Sequence, residues 1–178
     1  DVDYAASVED LNRAKQATFE RLIDEQLSDG QCGGLLVWGD PSLYDSTVRI
    51  LQSILDAGRC AFEFEVIAGI TSVQALAAQH KVPLNSIGGS LEITTGRRLA
   101  AGQVGDSASV VVMLDAEDAY RQVSDPDTHI YWGAYVGTPD QILIAGRLEE
   151  VAESIERTRK AARQANGWIM DTYLLRKP

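Results

Sequence analysis

From Ser7 to Ser28 the apolar positions Val8, Leu11, Phe19, Leu22, Ile23 and Leu27 keep helical spacing, and Asp29-Gly30 ends the run. Ser7 and Asp10 are placed as a capping box at its start. A short apolar run, Leu35 to Trp38, reads as a buried strand, and a second helix follows from about Asp45 to Ala57 with Val48, Leu51, Ile54 and Leu55 on one side and Gly58 as its stop. Phe62 to Ile67 is a second predicted strand, and Val73 to His80 a third helix that Thr71 or Ser72 can cap. Beyond Lys81 to Gly89, where Pro and Gly concentrate, strands are predicted at Leu91–Thr95, Ser109–Leu114, His129–Tyr135 and Gln141–Ala145. The amphipathic helix Arg147 to Ala165 turns Leu148, Val151, Ala152, Ile155 and Ala162 inward, Asn166-Gly167 closes it, and Trp168 to Leu175 is a last strand. The pattern predicts an α/β first part (residues 1–82), a linker (83–90) and a strand-rich α/β second part (91–178).

Composition narrows the function classes. Of 178 residues, 45% are hydrophobic and 24% charged, as in a globular protein with a real core. A net charge of −10 argues against nonspecific nucleic-acid binding, although a local basic patch can still serve an anionic ligand. Cys32 and Cys60 have no metal spacing and make no disulfide framework, and His80 and His129 are isolated, so no metal site is expected. No run is apolar enough for a membrane span and no leader stands at the start, which reads as a cytoplasmic chain.

Candidate chemistry lies at the predicted strand-to-helix junctions, the edge at which open α/β sheets bind ligands. At Trp38-Gly39-Asp40-Pro41-Ser42-Leu43-Tyr44-Asp45, Gly39 permits close backbone approach, Asp40 offers a fixed acceptor and Pro41 stiffens the exit; an ordinary βα turn has the same composition. At Ala68-Gly69-Ile70-Thr71-Ser72, exposed amides and two hydroxyls suit a polar ligand end, while capping accounts for one of the hydroxyls. The Gly96-Arg97-Arg98 segment supplies two guanidinium forks, which bind carboxylates bidentately or stand solvated.

Together, Gly39 to Ser46, Ala68 to Ser72 and the strand end Met113-Leu114-Asp115 resemble the tetrapyrrole methylase family. Ile93-Thr94-Thr95-Gly96-Arg97-Arg98-Leu99, Ile130 to Pro139 and Gly167 to Arg176 narrow the resemblance to the deacetylating C-methyltransferases of corrin synthesis, and the matches run in order along nearly the whole chain. The resemblance implies a two-domain α/β (class III methyltransferase) architecture, here with the first domain truncated at its N-terminus, because members usually begin with a strand and a Gly-rich loop that this chain does not show. Ala68 also stands where the family usually has Pro.

The implied cofactor is S-adenosyl-L-methionine, with S-adenosyl-L-homocysteine as product, bound between the domains of an enzyme that is usually a homodimer. Carried over position by position, Trp38, Gly39, Asp40 and Leu43 lie beside the methionine part, Thr71 and Ser72 fill the second loop's role, and Met113 and Gly137 border the adenosine. The tetrapyrrole substrate is fringed by carboxylates, for which Arg97 and Arg98 are the candidate partners. Tyr44, Asp45, Asp171 and Tyr173 are candidates for proton or water transfer, and equally for a cap, a strand-end hydrogen bond or core aromatics. Two other readings stay open: a non-catalytic fragment that keeps the architecture, and a family member with a different acceptor.

Overall fold

The computed structural model describes residues 2–177, with side chains from residue 6. The chain divides into two compact units, Asp1–Thr71 and Ser72–Pro178. The boundary therefore falls before the third helix, whereas the sequence pattern places it after that helix, at 83–90.

In the first unit, α1 (Val2–Gln26) packs against α2 (Thr47–Asp56). α1 starts upstream of the predicted capping box, so Ser7 and Asp10 lie inside it. Phe19 and Ile23 are half-buried, while Leu11 and Leu22 are exposed. α2 buries Ile50 and Ile54, four residues apart on one face, as its spacing requires. Neither predicted strand of this unit forms a ladder among the described residues, since the sheet is built wholly from Leu91 onward. The segments remain irregular in backbone pairing, although exposure alternates from Phe62 to Glu65 as in a strand. Their apolar side chains are correspondingly open, with Leu36, Ile67 and Ile70 among the exposed hydrophobics. A strand's N–H and C=O groups need a neighbouring strand, and apolar composition cannot supply one.

The second unit is a five-stranded mixed sheet covered by a helix on each face. After α3 (Ser72–His80) come β1 (Leu91–Thr95), α4 (Gly96–Ala100), β2 (Ser109–Met113), a single 3₁₀ turn (Ala119–Gln122), β3 (His129–Ala134), β4 (Ile142–Arg147), α5 (Leu148–Asn166) and β5 (Asp171–Arg176). The strand order is β1-β2-β5-β3-β4, with β1 and β2 parallel and all other pairs antiparallel. Register aligns Val112, Tyr173 and Trp132 across β2, β5 and β3. These residues share a face and form the core with Ile155 and Ala162 of α5 and Tyr120 of the 3₁₀ turn. The opposite face receives α3. There Gly133 makes room for Leu76, whose Cδ1 would lie 2.7 Å from a Cβ at that position. His80 packs edge-on to Tyr131 and its Nε2 lies 3.0 Å from the Trp132 carbonyl, so this histidine serves the helix–sheet contact.

α5 carries Glu149 and Glu150 in its first turn, complementing the helix dipole, and stops at Gly167 in the left-handed region (φ 75°). Ile155 is fully buried at the centre of this core. Its replacement by Ala should destabilise the second unit by about 2–5 kcal/mol, read by chemical denaturation, because the surrounding sheet can only partly close the cavity.

Candidate functional site

Two turns of the first unit are locked together by one carboxylate. Gly39 adopts φ +73°, and Asp40 Oδ2 accepts a 2.7 Å hydrogen bond from the Gly69 amide. Asp40 Oδ1 accepts from the Ser42 amide at 2.8 Å and from the Ser42 hydroxyl. The turns approach so closely that a Cβ at Gly69 would fall 2.0 Å from the Gly39 carbonyl oxygen. Position 69 thus excludes every residue but glycine. These bonds to the ionised form, led by the Ser42 hydroxyl and then the Gly69 amide, hold the Asp40 carboxyl below the usual carboxylate range. Asp40 therefore joins Gly39-Asp40 to Ala68-Gly69-Ile70-Thr71, a role that its reading as a ligand acceptor did not include. Trp38 is 75% exposed beside this clamp and Leu43 half-buried, with its amide donating to the Asp40 carbonyl. Tyr44 stands in the left-handed region (φ 51°), and Asp45 accepts from the Thr47 amide at 2.6 Å, which makes it a cap for α2.

In the second unit the register brings Thr95, Met113, Thr172 and Gly133 to one end of the sheet. The turn from Tyr135 to Gln141, which joins β3 to β4, stands at that same end and carries Gly137. Gly137 is exposed at φ +83° and donates its amide to Gln141 Oε1 at 2.9 Å. Arg97 and Arg98 leave from Thr95 on the short helix α4; both are exposed, and Arg98 donates to the Gln103 carbonyl at 3.2 Å. Ser72 is the half-buried first residue of α3.

Behind this sheet end lies a buried ionic cluster that the sequence reading missed. Arg159, 8% exposed, donates from Nε to Asp171 Oδ2 at 2.9 Å, from Nη1 to Asp118 Oδ1 at 3.0 Å and from Nη2 to the Asp115 carbonyl. Asp171 Oδ2 also accepts from Trp132 Nε1 at 2.9 Å. Asp115 Oδ2 accepts from Tyr173 at 2.7 Å and from the Ala119 amide at 2.8 Å. Burial raises the Asp171 pKa, opposed by the Arg159 charge. Burial likewise works against the Arg159 charge, but Asp171, Asp118 and Asp115 outweigh it and leave that pKa raised. Burial first, then the Asp115 charge, pushes the Tyr173 phenol far above its ordinary value. Of the four proton-transfer candidates, Asp45 accepts from the first amide of α2, Asp171 is an acceptor at the start of β5, Tyr173 lies in the core and Tyr44 is exposed. One signal was available in the sequence: Arg159 interrupts the apolar series Leu148, Ile155, Ala162 on the buried face of α5.

The sequence pattern of the Tetrapyrrole (Corrin/Porphyrin) Methylases matches residues 2–152. Over 176 residues the chain is 51% identical to precorrin-6A synthase [deacetylating] from Sinorhizobium sp, covering 99% of this chain and 67% of that protein. Among solved structures, the cobalamin synthesis related protein CobF from Corynebacterium diphtheriae superposes with a TM-score of 0.87 at 38% identity, over 93% of this chain and 70% of that one. The uroporphyrin-III-C-methyltransferase from Thermus thermophilus shares the fold, with a TM-score of 0.65 at 24% identity over 93% of this chain and 67% of its own. The chain belongs to the tetrapyrrole methylase family.

Proposed function

We propose that this protein is an S-adenosylmethionine-dependent C-methyltransferase of cobalamin biosynthesis, a precorrin-6A synthase that methylates precorrin-5 at C1 and releases acetate. The observation that carries this reading is the 51% identity to the Sinorhizobium enzyme across nearly the whole chain. The homodimeric state and the cytoplasmic location belong to the same reading and rest on the family resemblance.

The residues present fit the cofactor. Each clamped glycine of the first unit adjoins an exposed apolar side chain, Trp38 next to Gly39 and Ile70 next to Gly69, as a ligand with apolar and polar ends requires. In the second unit Met113 is half-buried and Leu114 is 62% exposed at the end of β2, and a Cβ at Gly137 would meet open space. When bound, S-adenosylmethionine supplies the electrophilic methyl group. The protein's task is then alignment, which can contribute about 7–11 kcal/mol in favourable cases. Trp38, Gly39, Asp40, Leu43 and Thr71 serve the cofactor in the first unit, and Ser72, Met113 and Gly137 in the second. Arg97 and Arg98 serve the substrate, because guanidinium groups beside a sulfonium would be repelled, whereas a carboxylate-fringed ring is attracted. In a chain of net charge −10 they also oppose the general repulsion of such a polyanion.

Calorimetry should show S-adenosylhomocysteine binding to the protein, and Asp40→Ala should weaken it about tenfold by releasing the two turns from one another. Unchanged affinity in that variant would remove Asp40 from the cofactor site. The Asp40 clamp also has a pH signature. Its folded pKa is depressed, so its contribution is complete above the range where a free carboxylate titrates and fades as pH falls through its own lower value. The Gly69 amide resonance should accordingly titrate with a midpoint below 3.8, the ordinary aspartate value. Replacing Arg97 and Arg98 together by Gln should weaken tetrapyrrole binding and spare the cofactor, with a loss that shrinks as salt is raised. Normal tetrapyrrole affinity in the double variant would make them solvated surface arginines.

A further inference from the structure

We propose that Arg159 is a positioning residue, a buried guanidinium that sets the turn Leu114–Asp118 and through it both the cofactor-side Met113 and the substrate-side arginines. The inference rests on the function proposed above. The turn is improbable by itself, since Leu114 (φ 53°) and Asp118 (φ 55°) both occupy the left-handed region without being glycine. Such backbone persists where its surroundings over-determine it, and here three elements do so. From α5, Arg159 Nη2 donates to the Asp115 carbonyl and Nη1 to the Asp118 carboxylate at 3.0 Å. From β5, Tyr173 donates to Asp115 Oδ2, and Asp171 holds Arg159 Nε. Within the turn, Asp115 accepts from the Glu117 and Ala119 amides at 3.0 and 2.8 Å.

The same turn underlies α4. A Cβ at Gly96 would lie 2.6 Å from the Asp115 Cα, so the β1–α4 junction rests directly on this backbone. Met113 precedes the turn and Arg97 and Arg98 follow Gly96; moving Asp115 therefore moves both. A planar fork with donors on three nitrogens is what fixes a carbonyl and two carboxylates at once, and a lysine ammonium of equal charge lacks that geometry. Core filling would call for an apolar side chain at this position of α5. Its neighbours one turn away, Ile155 and Ala162, show that choice.

Arg159→Lys keeps the charge and removes the fork. In the whole protein it should reduce S-adenosylhomocysteine affinity about tenfold and speed hydrogen exchange at the Glu117 and Ala119 amides. Ile155→Val, on the same buried face, supplies a stability control that should leave affinity within twofold and exchange at those two amides unchanged. If Arg159→Lys does not fold, Asp118→Asn leaves the guanidinium in place and weakens one of its bonds, with an expected affinity loss of about threefold. The proposal is overturned if Arg159→Lys, or Asp118→Asn in its stead, binds within twofold of the parent protein, or if Ile155→Val loses as much. Failure of the parent protein to bind S-adenosylhomocysteine would instead overturn the cofactor reading. In that case exchange at Glu117 and Ala119 still reports whether Arg159 holds the turn, and unchanged exchange there overturns that hold.

Discussion

A single guanidinium in the interior governs how the second unit is put together. Charge cannot be left unpaired away from water, and breaking a buried ion pair typically costs about 3–5 kcal/mol. Arg159 therefore requires acceptors from several directions, and they come from the end of β2, the loop after it and the start of β5. Each acceptor is itself constrained: Asp171 by Trp132, Asp115 by Tyr173, and Asp118 by the hydroxyl of Tyr120 at 3.0 Å. Apolar packing between α5 and the sheet would tolerate sliding by a fraction of an ångström. A hydrogen-bonded ionic cluster does not, because its bonds weaken steeply with angle.

The first unit solves a smaller version of the same problem. Its two turns meet glycine to glycine, at a distance no side chain allows, and a carboxylate on one turn captures an amide on the other. In both units the backbone near the proposed ligands is held by carboxylates that accept from backbone amides. The groups left outward are apolar side chains, glycines and arginines. This division suits methyl transfer to a carbon nucleophile, a reaction that asks a protein for alignment more than for reactive side chains.

Helix spacing was legible where a helix buries a stripe that its own sequence displays, as with Ile50 and Ile54 in α2 and Leu148, Ile155 and Ala162 in α5. The strands of the sheet were legible for a similar reason, Ser109 to Met113 being buried in nearly every position. Leu35–Trp38 and Phe62–Ile67 misled because strand formation is a property of pairs, and their composition is silent on partners. The helix Ser72–His80 was read correctly, but its allegiance to the sheet depends on Leu76 meeting the gap at Gly133, a contact 57 positions apart that no local pattern encodes. The turns at Gly39-Asp40 and Ala68-Gly69 were found through ordered motifs. Asp40's inward role was not, because an aspartate after glycine looks alike whether it faces a ligand or a neighbouring amide. The ionic cluster escaped because its members, Asp115, Asp118, Arg159 and Asp171, are scattered along the chain and no local pattern links them.

The strand order has a kinetic consequence. β5 sits in the middle of the sheet yet is the last of its five strands in sequence, pairing with β2 some sixty residues earlier and with β3 about forty. Until Asp171–Arg176 leaves the ribosome, β1–β2 and β3–β4 can exist only as separate pairs, each with an open edge where β5 belongs. The central strand also delivers Asp171 and Tyr173, so Arg159 waits for its principal acceptor until sheet closure. Such non-local pairing slows folding, since chain entropy must be spent before the contact is made. Among the five strands of the second unit the central one is thus made after its neighbours, and the cooperative core forms only once translation has passed β5.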